Sequence, residues 1–172
     1  LLISGKVDLI SETPLAAMEL VNNAGAEIIL GEWKKGVSEY SSILFTKETS
    51  SINALDDLKG RVIAFEDAGS TSGFLLPLAL LRLSGLTCVE LKNVNEKPAA
   101  DQVGYIFAGH EINVSTLVAR GVVDAGALSN LDWDDNNEVP YVFRQTLRVF
   151  FESKPIMRSV VLVRGDMDEG LK

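Results

Sequence analysis

The chain has 172 residues, of which 47% are hydrophobic, so it can bury one sizeable core or two small ones. Its formal net charge of -8 and its pI near 4.7 argue against nucleic acid or an anionic membrane surface as partners, because both would repel it at long range. No apolar run approaches the roughly 18–20 residues of a membrane-spanning helix, and the single cysteine, Cys88, excludes an internal disulfide.

The first elements predict a βαβ unit. Residues 7–10 form a short apolar run, and the following SETP places Pro14 at the first position of a helix, where a proline costs nothing. Apolar residues then recur at helical spacing until Gly25, which ends the helix. The apolar stretch AEIIL follows as a second strand.

Strand and helix patterns continue to alternate along the rest of the chain. In order, they are the strand YSSILFTK, the short amphipathic helix INALDDLKG, the strand RVIAF, an apolar helix over residues 74–83, the strand CVELKNV, the helix GHEINVSTLVARG, the strand VVDAGAL, and the late strands YVFRQTLRVFF and RSVVLVR. Pro77 requires either a kink or a late start of its helix, and the sequence leaves both open. The alternation predicts an α/β fold with a largely parallel sheet.

A run of three hydroxyl residues between two glycines stands at one of the strand-to-helix junctions. The first backbone N–H groups of a helix lack partners there, and the helix dipole is positive, so an anion is favoured. Hydroxyl donors add hydrogen bonds that suit a tetrahedral oxyanion without any lysine or arginine. The candidate binding residues are Gly69, Ser70, Thr71, Ser72 and Gly73.

Three other interpretations of this run were compared with anion binding. A phosphate-binding loop of nucleotide hydrolases needs Gly-Lys-Ser/Thr, and no lysine follows here. A nucleophile elbow needs serine at the centre of its pentapeptide, where this chain has Thr71. A plain helix cap remains open, although it uses one hydroxyl and leaves two unexplained.

His110 is the only histidine, and it begins another helix pattern after a strand-like stretch. Taken alone, it is best interpreted as a surface or capping histidine. At a second helix N-terminus, however, it can donate a hydrogen bond to the same anion. Both interpretations stay open from the sequence.

Several segments together resemble the phosphate/phosphite/phosphonate-binding proteins of ABC transporters. They are VDLISETPLAAMEL, EYSSILFTK, LDDLKGRVIAFEDAGSTSGFLLP, GHEINVSTLVARGVVDAGA and the late VVLVR. The order and spacing of these segments match the family through nearly the whole chain. The most specific feature is the STSGF element followed, about 40 residues later, by GHE.

The resemblance implies a type 2 periplasmic binding fold, in which two α/β lobes are joined by crossing strands and close on an oxyanion in the cleft. Lobe I would comprise residues 1–47 and 154–172, and lobe II residues 48–153. Ser70, Thr71 and Ser72 would hold the oxygens of the ligand, with Tyr40 on the first crossing strand and His110 from the second lobe. The role of Tyr40 comes from the resemblance alone.

The chain departs from the family in ways that bear on the ligand. Binders of amine-bearing phosphonates have an acid before the late strand, where this chain has Ser159. Glu12, on the first strand-to-helix loop, can supply an acid from another direction. An unpaired ammonium in a closed cleft is costly, so we expect phosphate, phosphite or a small alkylphosphonate rather than an aminoalkylphosphonate.

The length also departs from the family, whose members run to about 300 residues. The chain starts at LLISGKVDLI without a Met or a charged leader, and we expect it to be a fragment that lacks both ends of lobe I and carries no signal peptide. An incomplete lobe would expose apolar surface, so self-association of the chain is a further hypothesis.

These features predict an extracytoplasmic solute-binding protein, periplasmic or at the cell surface, that presents a phosphorus oxyanion to an ABC transporter permease. No catalysis, cofactor or metal ion is expected. The first alternative is a ligand-sensing domain of a signalling protein with the same fold. The second is an enzyme of this architecture that uses His110, although no second histidine or nucleophile-base pair accompanies it.

Overall fold

The computed structural model describes residues 1–34 and 36–172, and their secondary structure alternates as the sequence predicts. The strands are β1 (Leu9–Glu12), β2 (Glu27–Glu32), β3 (Glu39–Tyr40), β4 (Ser42–Lys47), β5 (Val62–Phe65), β6 (Thr87–Glu90), β7 (Gln102–Phe107), β8 (Ala125–Ser129), β9 (Leu147–Glu152), β10 (Ile156–Met157) and β11 (Ser159–Val163). The α-helices are α1 (Pro14–Ala24), α2 (Leu76–Leu83), α3 (Glu111–Ala119), α4 (Asn130–Asp134) and α5 (Tyr141–Arg144). A 3-10 helix at Leu55–Leu58 and a π-helical turn at Thr71–Leu75 complete the set.

Contacts divide the chain into two units. Unit 1 comprises Leu1–Tyr40 and Pro155–Lys172, and unit 2 comprises Ser41–Lys154. Residues 41–47 and 154, which belong to the predicted lobe I, lie in unit 2, where β4 pairs along its length with β8 and β9. That the two units correspond to the two lobes of the family stays a prediction.

Unit 1 is built on a three-stranded sheet with the order β1-β11-β2, in which β11 runs antiparallel to both neighbours. The predicted βαβ unit is present, with β11 inserted between its two strands. Helix α1 starts at Pro14 and ends at Gly25, whose φ of 63° is the left-handed conformation that glycine adopts most readily. Ala17 of α1 packs with Val160 and Leu162 of β11 to form the core of this unit.

The opposite face of the same sheet carries exposed apolar side chains. Leu30 pairs with Val161, and Leu9 pairs with Val163, so these residues alternate with the row that packs on α1. The exposed fractions are 54% for Leu9 and 60% for Leu30. Leu9 and Leu30 are therefore exposed apolar side chains on the sheet face opposite α1, on which Val163 is buried.

Unit 2 is built on a six-stranded sheet with the order β6-β7-β5-β8-β4-β9. Neighbours from β6 to β8 are parallel, and β4 is antiparallel to both of its neighbours, so it alone among these six strands runs against the others. The sheet is largely parallel, as predicted, because crossovers through α2 and α3 connect β5 to β6 and β7 to β8.

Helices cover both faces of this sheet, which explains why β5 is buried at every position. Ile63 and Phe65 belong to a cluster with Leu81 of α2, whereas Val62 and Ala64 belong to a separate cluster with α3. Alternate residues of a strand point to opposite faces, so β5 needs apolar residues throughout.

Two local predictions are corrected or decided by the structure. Residues 141–144 were predicted to be part of a strand, but they form α5, which starts directly after Pro140 and leaves Tyr141 and Val142 exposed. Pro77 is the second residue of α2, which continues from the π-helical turn at Thr71–Leu75 with helical backbone at Leu75 and Leu76. A π-helical turn, rather than a late start of the helix, therefore precedes this proline.

Candidate functional site

The candidate site lies where the chain leaves two neighbouring strands of unit 2, β5 and β7. Strands β5 and β7 are parallel neighbours. The connection from β5 leads through α2 to β6 on one side, and the connection from β7 leads through α3 to β8 on the other. Where connections of neighbouring parallel strands diverge in this way, a crevice opens outside the carboxyl ends of the strands, and ligands bind there.

The two loops that leave β5 and β7 are held together at this edge. The backbone N–H of Ala108 donates to the carbonyl of Phe65 at 2.8 Å, and that of Gly109 donates to the carbonyl of Glu66 at 2.8 Å. The predicted residues 69–73 and His110 therefore stand on adjoining loops of one sheet edge.

Ser70 caps the helix that follows β5. Its backbone is extended, and its hydroxyl oxygen accepts a hydrogen bond from the N–H of Gly73 at 3.0 Å. The N–H of Gly69 donates to the Asp67 carboxylate at 2.6 Å, so this loop is stabilised by its own side chains. The plain-cap interpretation thus accounts for Ser70 and Gly69 but not for the hydroxyls that come next.

Thr71 is the residue that a plain cap leaves unexplained. Its side chain is 6% exposed, and its hydroxyl oxygen is buried without a hydrogen-bond partner in the described part of the chain. Ser72 is also buried, and its carbonyl accepts a hydrogen bond from the Ser42 hydroxyl at 2.7 Å, which anchors the turn to β4. An unpaired buried hydroxyl costs about 1–3 kcal/mol, so its presence at a helix N-terminus points to a ligand.

His110 occupies the N-cap position of α3. Its backbone is extended, its side chain makes no capping hydrogen bond, and it is exposed to solvent. The side chain therefore does not cap the helix, and its exposure agrees with the interpretation as a surface histidine. An exposed imidazole on the loop beside the hydroxyl turn fits the interpretation as a ligand donor.

Two carboxyl groups that the sequence prediction missed also lie at this edge. The pKa of Glu66 is raised to about 7, mainly by burial; the negative charges of Glu111 and Asp67 also raise it, and a hydrogen bond from Ser70 lowers it. Glu111 is the first residue of α3, directly after His110. In the sequence, only the positions of these residues could indicate the site, since Glu66 directly follows a buried strand and Glu111 begins a helix.

Gly73 is required because the Ser70 and Glu66 side chains approach it closely. A Cβ at this position would lie 2.8 Å from the Ser70 hydroxyl oxygen and 2.9 Å from Oε2 of Glu66. Any larger residue would displace one of these groups. The contacts of Gly73 therefore position the hydroxyl and the carboxyl beside each other.

The remaining predicted residues lie in unit 1. Ser159 is completely buried, and its hydroxyl is within hydrogen-bond distance of the Glu12 carbonyl at 3.2 Å and of the Glu32 carboxylate at 3.0 Å. Hydrogen bonds from Ser11 and Ser159 lower the pKa of Glu32. Ser159 and Glu12 thus come together with an acid that the sequence prediction missed, and Glu32 stays ionised at neutral pH.

Tyr40 lies at the end of unit 1. It is buried, and it pairs with Ile156 in the short ladder between β3 and β10. Its backbone is thus fixed at the boundary with Ser41, where unit 2 begins. Its contribution to ligand binding stays a prediction.

The described residues contain no group of three or more His, Cys, Asp or Glu side chains placed to hold a metal ion. In the same part of the chain, no helix combines the length and the apolar composition needed to cross a membrane.

The whole chain matches one protein family. The family described as ABC transporter, phosphonate, periplasmic substrate-binding protein matches residues 1–172. The chain belongs to this family. The predicted resemblance is confirmed, and so is the α/β fold of the type 2 periplasmic binding class.

Individual members of the family are also similar in sequence. The phosphate-import protein PhnD of Mycolicibacterium smegmatis is 34% identical over 129 residues, which cover 73% of this chain and 39% of that protein. The probable ABC transporter phosphite binding protein PhnD1 of Prochlorococcus marinus is 30% identical over 136 residues, or 76% of this chain and 43% of that protein. These relatives are transporter binding proteins and not enzymes.

A solved structure is also similar in sequence and fold. XAC2383 from Xanthomonas citri, bound to ATP, superposes with a TM-score of 0.92 and is 37% identical, covering 99% of this chain and 62% of that one. The chain therefore spans less than two thirds of each of these relatives. The family is periplasmic by its description, which implies an extracytoplasmic location.

Proposed function

We propose that this chain binds a phosphorus oxyanion, a phosphonate, phosphite or phosphate, through the loops that follow β5 and β7. The observation that carries the proposal is the buried hydroxyl of Thr71, which lacks a partner at the N-terminus of a helix. The family assignment supports the same ligand class. Ser72 and His110 complete the proposed set of donors in unit 2, and the roles of Tyr40, Glu12 and Ser159 stay predictions.

The binding mechanism needs no lysine or arginine. Backbone N–H groups at the first turn of the helix, together with hydroxyl groups, supply neutral donors, and the helix dipole favours negative charge. Hydrogen bonds to a charged acceptor each contribute about 1.5–3 kcal/mol. Three or four such bonds together contribute about 4.5–12 kcal/mol, from which the entropy loss on binding is subtracted.

In the cell, the proposed role is capture of the oxyanion outside the cytoplasm and its delivery to an ABC transporter permease. No bond of the ligand is broken in this mechanism, so the proposed role is binding and not catalysis. His110 acts in it as a hydrogen-bond donor.

A nucleotide polyphosphate is the second candidate ligand. XAC2383, which is 37% identical to this chain, has been solved with ATP bound. The phosphate groups of ATP present the same tetrahedral oxygens as a phosphonate. The donors at the hydroxyl turn therefore suit ATP as well as a phosphonate. The two candidates differ in what the rest of the site must accommodate.

Calorimetric titration tests both candidates. The purified chain is titrated with phosphate, phosphite, methylphosphonate, 2-aminoethylphosphonate and ATP in a buffer that contains no phosphorus. We expect binding of phosphate, phosphite or methylphosphonate at least tenfold tighter than that of 2-aminoethylphosphonate. Stronger binding of ATP than of the small oxyanions would establish the second candidate, and no binding of any ligand by the folded chain would reject the proposed function.

We further propose that the chain self-associates through the sheet face of unit 1 that carries Leu9 and Leu30. Leu9 and Leu30 lie there more than half exposed, and burial of one such side chain stabilises a contact by about 1.5–3 kcal/mol. We expect a dimer or larger species in sedimentation at micromolar concentration and a monomer for Leu30→Lys. Lys59→Ala, an exposed substitution in unit 2, is the control, and a monomeric wild-type chain contradicts the proposal.

A further inference from the structure

The carbonyl group of Ser72 lies at a point of the π-helical turn where the helix cannot supply a hydrogen bond. The N–H of Leu76 donates to the carbonyl of Thr71, five residues earlier, and the preceding pair of residues is joined in the same way at 3.1 Å. The next bond in this register would join residue 77 to the Ser72 carbonyl. That residue is Pro77, which has no backbone N–H.

Ser42 of β4 supplies a hydrogen bond in place of the one that Pro77 cannot donate. Its hydroxyl group donates to the Ser72 carbonyl at 2.7 Å, and both serines are buried. A buried carbonyl without a partner is unfavourable, so a donor from outside the helix stabilises the turn at this point. The Ser42 hydroxyl therefore completes the hydrogen bonding of the turn.

The peptide group between Ser72 and Gly73 is consequently held at both of its polar ends. Its carbonyl accepts from Ser42, and its N–H donates to the Ser70 hydroxyl oxygen at 3.0 Å. Fixing one peptide plane restricts the residues beside it, because each residue has only two soft backbone dihedral angles. The buried hydroxyl of Thr71, one residue earlier, is the proposed ligand donor that this restriction affects most directly.

The backbone of Ser42 is itself fixed by the sheet. Its N–H donates to the hydroxyl oxygen of Ser153 at 2.9 Å, and its carbonyl accepts the N–H of Ser153 at 2.8 Å. On the other side of β4, Ser42 pairs with Ser129 of β8. A donor on a fixed backbone holds its acceptor within a narrow range of positions, and a site for a small ligand requires such precision.

We propose that Ser42 is a positioning residue of the oxyanion site, which replaces the hydrogen bond that Pro77 cannot donate and so keeps the hydroxyl turn in its binding geometry. This inference rests on the proposed function of that turn. Ser42 acts through Ser72 and not by contact with the ligand. Without the Ser42 hydroxyl, the Ser72 carbonyl regains a hydrogen bond only if the turn changes its conformation, and that change displaces the donors for the ligand.

The test is a cycle of variants at the two positions. Ser42→Ala is expected to bind methylphosphonate at least tenfold more weakly than the wild-type chain in calorimetric titration. Pro77→Ala restores an N–H at residue 77, in register with the Ser72 carbonyl. In the Pro77→Ala background, Ser42→Ala should therefore weaken binding less than threefold. A tenfold loss in both backgrounds would show that the two hydrogen bonds do not replace each other and would overturn the inference.

Thr46→Val is the matched control for Ser42→Ala. Thr46 lies on the same strand, and its buried hydroxyl also donates to a backbone carbonyl, that of Asp124, at 2.6 Å. Both variants should lower the urea midpoint, but only Ser42→Ala should lower the affinity. Unchanged affinity of folded Ser42→Ala would overturn the inference and leave the proposed function intact. No binding of methylphosphonate, phosphite or phosphate by the folded wild-type chain would reject the proposed function, and the inference with it.

The wild-type chain allows a second measurement if Ser42→Ala does not fold. Proton NMR follows the exchange of the buried Ser42 hydroxyl hydrogen with water, which requires local opening of the turn. A ligand that binds only the closed turn suppresses this opening. We expect saturating methylphosphonate to slow the exchange at Ser42 at least tenfold more than the exchange at the Thr46 hydroxyl, and equal slowing at both overturns the inference.

Discussion

A Thr71→Val variant is expected to be more stable than the wild-type chain and to bind its oxyanion at least tenfold more weakly. The Thr71 hydroxyl is buried without a partner among the described residues, so its replacement by a methyl group of similar size removes an unpaired polar group and raises the free energy of unfolding by about 1 kcal/mol. A bound oxyanion loses one charge-directed hydrogen bond of about 1.5–3 kcal/mol, which is tenfold or more in affinity. Urea unfolding without ligand and calorimetric titration measure the two effects.

Thr46→Val is the matched control for this experiment. Thr46 is also buried, but its hydroxyl donates to the carbonyl of Asp124 at 2.6 Å. Its removal leaves that carbonyl without this hydrogen bond and is expected to cost about 1–3 kcal/mol of stability, with ligand affinity unchanged. Equal stability losses in the two variants, with binding intact in both, would show that the Thr71 hydroxyl is structural.

Much of this site could be predicted from the sequence because its donors are contiguous. Residues 69–73 combine glycines and hydroxyls at a strand-to-helix junction, and such a junction exposes backbone N–H groups whatever the rest of the fold. His110 stands at a second junction, and the carboxyl ends of parallel strands lie at one edge of a sheet. Local pattern and sheet topology together were sufficient to bring these residues to adjoining loops.

The acidic part of the site could not be predicted in the same way. Glu66 and Glu111 are 45 positions apart along the chain, and each resembles an ordinary charged residue at the end of an element. Their proximity depends on the hydrogen bond between Gly109 and the Glu66 carbonyl, which pulls the two loops together. Glu32 is a similar case, since the serines that bind it come from β1 and β11.

The secondary-structure prediction was wrong for one short segment. Residues 141–144 are rich in residues typical of strands, but Pro140 and the preceding turn start a helix there. The predicted lobe boundaries also differ from the unit boundaries, for another reason. A strand pattern does not identify its partners, and the pairing of β4 with β8 and β9 exists only in the folded sheet.

The prediction with the largest effect on stability concerns Phe74, which follows the hydroxyl turn directly. Its ring lies 4.8 Å from that of Phe107 and 5.2 Å from that of Phe65, measured between centroids. Phe74→Ala is expected to lower the free energy of unfolding by about 3–5 kcal/mol, because it removes a large buried ring and leaves a cavity. Phe74→Leu should recover more than half of this loss, and urea unfolding of both variants measures it.

The same substitution tests how the core positions the site. Phe65 and Phe107 are the last residues of β5 and β7, so Phe74 links the ends of both strands to the turn that carries the donors. We expect Phe74→Ala, under conditions where it is still folded, to weaken oxyanion binding about tenfold, because the donors lose their fixed positions. Phe143→Ala, on the other face of the sheet, is expected to lose stability without this effect. Equal affinities of the two variants would mean that the backbone hydrogen bonds between the loops, rather than the aromatic cluster, position the donors.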